Sequence, residues 1–193
     1  MSHQPTRIYI TGASCAGVTT LGAMLSRQLD LPHIDVDQFY WLPTNPPFSL
    51  KRPPQERVSL IREALGTEGW ILSGSFDGWG DVLIEHASLI VFIVTPHAVR
   101  MDRLKNREKQ RYGNRIALGG DMHEAHLAFT EWASQYESPG PSHTGRNLAR
   151  HESWLAKQSL PVLRLDGTAS PDRMAEQVLS ALFQTRYGRP TAP

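Results

Sequence analysis

Apolar residues recur along the chain in short compact runs, separated by stretches where they repeat at helical spacing. "RIYITG" (7–12) is rich in β-branched and aromatic residues and ends in glycine, which predicts a strand. Behind it Leu21, Met24, Leu25 and Leu29 predict a helix from Gly17 to about Leu29. "PHIDVD" (32–37) predicts a second strand, and Val58, Ile61 and Leu65 mark one face of a helix beyond a proline-rich loop. The runs 70–75 and 88–95 are apolar throughout, as strands covered on both faces should be. A long helix is expected from Pro96 to about Arg111. Another is expected over 121–136, where Met122, Ala125, Phe129, Trp132, Ala133 and Tyr136 form one stripe. A further helix over roughly 146–157, a strand at 161–167 and a helix from Pro171 complete the pattern. Five apolar strands alternating with helices predict an α/β protein with an open parallel sheet wound on both faces. Ligands of such sheets sit at the carboxyl ends of the strands, so the loops there carry the interest.

With 193 residues the chain fits one domain, spanning 1–193. A net charge of +1 gives no global attraction to nucleic acid or to an anionic membrane. Cys15 is the single cysteine, which excludes an internal disulfide and suits a reducing compartment. "MSHQPTRIYI" lacks the apolar stretch of a signal peptide, and no later segment is apolar for long enough to cross a membrane. A cytoplasmic protein is expected. Proline and glycine cluster at 42–54 and 138–145, read as loops within the domain.

"TGASCAGVTT" (11–20) holds Gly12 and Gly17 at the separation of a phosphate-binding loop, followed by Thr19 and Thr20. Val18 stands where that pattern has lysine. Glycine pairs at this spacing are common. The strand leading in and the amphipathic helix leading out are what point to an anion nest at a helix N-terminus. On this reading Gly12, Ala13, Ser14, Cys15, Ala16, Gly17, Val18, Thr19, Thr20 form the cradle, with the Thr19 hydroxyl placed to reach a magnesium ion. The plainer reading is a tight strand-to-helix turn capped by a threonine. Cys15 is read as a small loop residue, with an oxidation switch as the alternative.

Asp35 and Asp37 alternate along the predicted second strand and so share a face beside this loop. Such a pair can hold magnesium or accept a proton from a hydroxyl, with Asp37 the better base and Asp35 the better metal group. "FYWLPTNPPF" follows and is unusually aromatic: Phe39, Tyr40, Trp41 and Phe48 form either a stacking wall for an acceptor or a plug into the core. Residues 100–111 carry +4, with Arg103, Arg107 and Arg111 on one helical face; Arg146 and Arg150 repeat the spacing later. Lys105 and Lys109 read as a solvated face, and Lys51 and Arg52 as further candidates for the missing lysine's charge. "HEAH" (123–126) has histidines three apart, not the four of a zinc-protease helix. It reads as a polar helix face, or with Asp121 as a metal group.

Together, Gly12 to Thr20, "DVDQF" and the arginine-rich helix resemble the P-loop nucleoside and nucleotide kinases. Within that group the chain looks most like bacterial proteins labelled adenylate-kinase-related, some of them also labelled DNA topology modulation proteins. "DVDQ" also resembles the Asp-x-Asp of shikimate-type kinases. The resemblance implies a three-layer P-loop NTPase fold with a five-stranded parallel sheet and a helical lid, here approximately 107–150. It implies a kinase that moves phosphate from Mg-ATP to a nucleotide, nucleoside or other small molecule, with ATP and magnesium as cofactors. By the same resemblance Arg103 helps to bind ATP, while Arg107 and Arg150 act with Asp37 on the transferring phosphate. Val18 and Ser73, the latter where many nucleotide kinases have an acidic residue, are the departures. They keep a weakly catalytic nucleotide-binding sensor or partner-binding module in view, whereas direct nucleic-acid binding finds no support in the charge.

Overall fold

A computed structural model describes residues 4–188 apart from Pro46 and Asp77. The ends of the predicted 1–193 domain and Pro46 of the proline-rich loop lie outside the described residues. Strands β1 (Arg7–Gly12), β2 (His33–Asp35), β3 (Trp70–Ser73), β4 (Leu89–Val94) and β5 (Val162–Asp166) form one parallel sheet in the order β2-β3-β1-β4-β5. The helices are α1 (Val18–Leu29), α2 (Asp37–Tyr40), α3 (Pro54–Leu65), α4 (His97–Tyr112), α5 (His123–Ser134), α6 (Leu148–Leu155) and α7 (Pro171–Tyr187). No helix among the described residues is long and apolar enough to cross a membrane.

β1 lies at the centre, paired with β3 on one side and β4 on the other. Its alternate residues therefore enter two separate cores. Ile8 and Ile10 pack with Leu21 and Leu25 of α1 and Val178 and Leu182 of α7. Tyr9 packs on the opposite face with Ile61 and Leu65 of α3, Phe76 and Leu155 of α6. Each fully buried branched side chain contributes about 1.5–3 kcal/mol, which fixes the register and aligns all five carboxyl ends at one edge.

Several predicted boundaries move. β2 stops at Asp35 because Val36 turns into helical geometry (φ −54°, ψ −35°), so Asp37 begins α2 instead of ending a strand. β3 stops at Ser73, where Gly74 takes a φ of +126°. The helix expected from Arg146 starts at Leu148, because the Asn147 side chain caps it by accepting the Arg150 backbone N–H (2.9 Å). In α5 the stripe is rotated: Ala125 is exposed, and His126 sits inward against the buried Glu108 of α4.

Candidate phosphate-binding site

Between β1 and α1 the chain curls through two left-handed residues, Cys15 (φ 62°) and Gly17 (φ 109°). Only glycine takes the second without strain. Gly12 is required for a different reason: a Cβ there would lie 2.8 Å from the Ile93 carbonyl oxygen. The N-terminus of α1 has no side-chain cap. Its first backbone N–H groups therefore remain open toward the loop, with the positive end of the helix dipole behind them. Val18 is half-buried, packed against the core that holds Ile8 and Ile10.

The Thr19 hydroxyl donates to Asp35 Oδ2 (2.9 Å), which ties the end of β2 to the loop. Asp35 Oδ1 in turn accepts the Asp37 backbone N–H (3.0 Å). The two carboxylates are thus neighbours across a strand-to-helix turn, not along one strand face. Asp37 is exposed to solvent yet crowded by surrounding protein, and this crowding, with Asp35 beside it, pushes its carboxyl above the usual range. Arg146, Arg107 and Arg111 act in the opposite sense. Because water reaches the group, its desolvation is tempered and the repulsion from the Asp35 carboxylate carries much of the effect.

Positive charge reaches the loop from several directions. Arg103 donates to the Ala16 carbonyl (3.3 Å) and to the Gly167 carbonyl after β5 (2.9 Å), bracing the loop from outside. Arg146 Nη2 donates to Ser14 Oγ (3.1 Å), while its guanidinium lies 5.4 Å from the Trp132 ring centre. Its Nε is buried without a hydrogen-bond partner. Arg100, counted in the charge of the basic run 100–111, is 1% exposed and forked onto Glu137, with Nη1 also donating to the Ser14 carbonyl (3.3 Å). Burial would raise the Glu137 carboxyl, but Arg100 and His97 outweigh it and hold it low. Burial raises the Cys15 thiol despite Arg107, Arg100 and Arg111 nearby, so it stays protonated and ill suited to an oxidation switch.

Arg107 borders Glu108 (3.3 Å) and the Phe129 ring, and its field reaches both Cys15 and Asp37. Arg111 is exposed at the end of α4, and its charge also acts on both. Arg150 folds back onto the carbonyls of Thr144 (2.9 Å) and Gly145 (3.3 Å). It lines a pocket of about 160 Å³ with Thr11, Ser75, Asp81, His151 and Trp154. Arg52 is held by Glu56 and the Phe39 carbonyl, and Lys51 lies over Tyr40, so neither touches the loop. Lys105 and Lys109 are exposed. Ser73 is buried, with its Oγ 2.9 Å from His33 Nε2.

Sequence reasoning missed a chain of polar groups behind the pocket. Tyr136 Oη is 2.7 Å from His151 Nδ1, and His151 Nε2 is 3.0 Å from Ser75 Oγ. Burial, aided by Arg146, lowers the His151 pKa to about 3, so the ring is neutral. The only signal for it was a histidine one residue after Arg150 on an apolar helix face. In the "HEAH" group with Asp121, side chains are engaged elsewhere: Asp121 pairs with Arg115 (2.6 Å), and His123 Nδ1 is 3.0 Å from the Ile116 carbonyl. Among the described residues no three His, Cys, Asp or Glu side chains form a metal group. The aromatic loop divides between its two readings. Phe39 packs on the core, whereas Phe48 is 47% exposed with Trp41 against it.

No protein-family model matches the chain. It is 43% identical over 176 residues to the uncharacterized protein YqaC of Bacillus subtilis (strain 168), covering 91% of this chain and 96% of that one. Its fold is similar to a gluconokinase from Sinorhizobium meliloti 1021, with a TM-score of 0.55 at 18% identity over 94% of each chain. It is also similar to the shikimate kinase of Aquifex aeolicus VF5, with a TM-score of 0.54 at 17% identity, covering 95% of this chain and all of that one. At such identities the likeness concerns the fold, which is that of P-loop kinases with a five-stranded parallel sheet and flanking helices.

Proposed function

We propose that this chain, which belongs to the same family as YqaC of Bacillus subtilis, is a cytoplasmic kinase that transfers phosphate from Mg-ATP to a small hydroxyl-bearing acceptor. The observation that carries this reading is the Thr19–Asp35 hydrogen bond, because it joins a carboxylate pair to an uncapped helix end. The residues present fit the groups such a reaction uses. Gly12 to Thr20 offer backbone donors, and the orphaned Arg146 Nε beside Ser14 lacks an acceptor that a phosphate oxygen would supply. Mg-ATP, when bound, supplies the phosphoryl group and part of its charge compensation.

The loop and Arg103 bind and orient the nucleotide, and Thr19 with Asp35 would hold the metal. Asp37 accepts the acceptor's hydroxyl proton at a carboxylate oxygen, a task suited to a carboxyl of raised affinity for protons. Arg107 and Arg146 place charge over the nest in place of the lysine. Arg150 serves the transferring group once the segment 107–150 closes and its present carbonyl partners are given up. The finer expectation of a nucleotide or nucleoside acceptor stays within this proposal. Val18 favours a second reading, a nucleotide-binding module without transfer. Transfer of labelled phosphate from Mg-ATP, measured across nucleosides, nucleotides, sugar acids and small alcohols, separates the two. ATP binding with no transfer to any of them would leave only the second.

A further inference from the structure

We propose that the free edge of β5 pairs antiparallel with the same edge of a second copy of this chain, joining two sheets about a twofold axis at Leu165. β5 ends the order β2-β3-β1-β4-β5, with β4 on one side and, among the described residues, no strand on the other. The bonds to β4 show which backbone groups are left over. The Pro161 carbonyl accepts the Ile90 N–H (2.9 Å) and the Gly167 N–H donates to the Val94 carbonyl (2.7 Å), so the odd-numbered residues face β4. The N–H and C=O groups of Val162, Arg164 and Asp166 therefore point to the open edge. Their side chains share one exposed face with Val94, where Val162 is 36% and Val94 45% exposed.

Sheet edges are usually closed to another chain by a very short strand, a proline, a bulge or a charge pointing inward. β2, the opposite edge, follows that rule with three residues. β5 has five, contains no proline and runs in unbroken register with β4. It carries instead one charge of each sign, two residues apart and both exposed. Two copies aligned with residue 164 opposite itself would set arginine against arginine, which is unfavourable. With Leu165 on the axis, each Arg164 faces the partner's Asp166, and the outward backbone groups still meet. This register gives about four inter-chain N–H···O bonds and a symmetric pair of salt bridges, self-complementary as a twofold contact must be. Existing contacts allow it. Arg164 meets Glu152, but the two are 50% and 43% exposed, and Thr168 binds Asp166 through Oδ1 only. The interface does not depend on the kinase reading.

Sedimentation velocity on the full-length protein tests it. A contact this small implies association on the order of micromolar or weaker, so the series runs from roughly 5 to 500 µM. The wild type should shift from monomer toward dimer. Arg164→Asp and Asp166→Arg should each stay monomeric, because each sets like charges across the axis. The two single variants mixed in equal amounts should associate again, and so should the double variant, since both arrangements restore opposite charges. A wild type that stays monomeric throughout would overturn the interface. Association that survives both single changes would overturn it too, by assigning the contact to another face. Loss in the single variants with no recovery in the mixture or the double variant would refute the register. If a variant fails to fold, hydrogen exchange on the wild type decides the matter. The amides of Arg164 and Asp166 should exchange several-fold more slowly at the highest concentration than at the lowest, and equal rates would overturn the pairing.

Discussion

Val18 is half-buried and packs against the core that holds Ile8 and Ile10, so a lysine placed there must leave that packing to reach a phosphate. The loop's positive environment comes instead from Arg103, Arg107, Arg111 and Arg146, whose contacts or fields act on residues 14–17 or on Asp37. Val18→Lys should therefore change turnover by less than tenfold, about 1.4 kcal/mol of barrier. A larger rise in steady-state rate would show that the charge had not been relocated. Thr19→Ala should weaken Mg-ATP binding several-fold by calorimetry, since it removes the hydroxyl and its tie to Asp35. Asp37→Asn should abolish transfer while leaving ATP affinity within a few-fold, because backbone donors supply most of the binding. The pH profile carries the same signature. Asp37 works as the carboxylate, and its affinity for protons is raised, so the wild-type rate should fall on acidification at a pH above the ordinary aspartate range. Unchanged turnover in Asp37→Asn would remove the aspartate pair from the mechanism.

All five strands and every helix around them except the short α2 follow from apolar periodicity, because buried strands and amphipathic helices carry their signal locally. Their ends were less readable. Asp37 was expected on a strand, but backbone geometry at Val36 is set by the turn into α2, which no hydrophobic pattern announces. The arginines show the same limit. Spacing put Arg103 and Arg107 on one helical face and the kinase resemblance set them at the loop, yet neither could tell that Arg100 is buried against Glu137 or that Arg146 reaches Ser14 while Arg150 turns away. Glu137 lies in the segment after α5 and Ser14 in the loop after β1, both far in sequence from their arginines, whereas Arg150 turns to Thr144 and Gly145 just before α6. The Arg100–Glu137 pair ties α4 to the segment after α5, and Arg100 also touches the Ser14 carbonyl. Glu137→Gln would leave a guanidinium buried without its counter-charge. Glu137 is 29% exposed, so the cost should fall at about 2–3 kcal/mol, below the range for fully buried pairs. Chemical denaturation would show this as a lower midpoint with an unchanged slope. A loss under 0.5 kcal/mol would mean that water already screens the pair.

For the whole molecule, the buried Tyr136–His151–Ser75 chain links three parts of the fold: the segment after α5, α6, and the turn after β3. It also makes stability depend on pH in a direction that can be worked out. Burial depresses the folded-state pKa of His151 to about 3, against the ordinary value near 6.5 for an unfolded chain. Between these values the unfolded state binds a proton that the native state does not. Stability is therefore fully present above about pH 6.5 and is lost progressively as pH falls toward about 3, at on the order of 1 kcal/mol per pH unit. The raised Asp37 carboxyl acts in the opposite sense at lower pH, so the His151 slope is best read between about pH 6.5 and 5. Urea midpoints of the wild type should fall between pH 6.5 and 5, and His151→Gln, which cannot take up the proton, should flatten that limb even though it is less stable at pH 7. An equally steep limb in His151→Gln would assign the acid sensitivity to other groups. A flat wild-type curve would mean that the ring can ionise where it lies, and that the chain from Tyr136 to Ser75 does not hold it neutral.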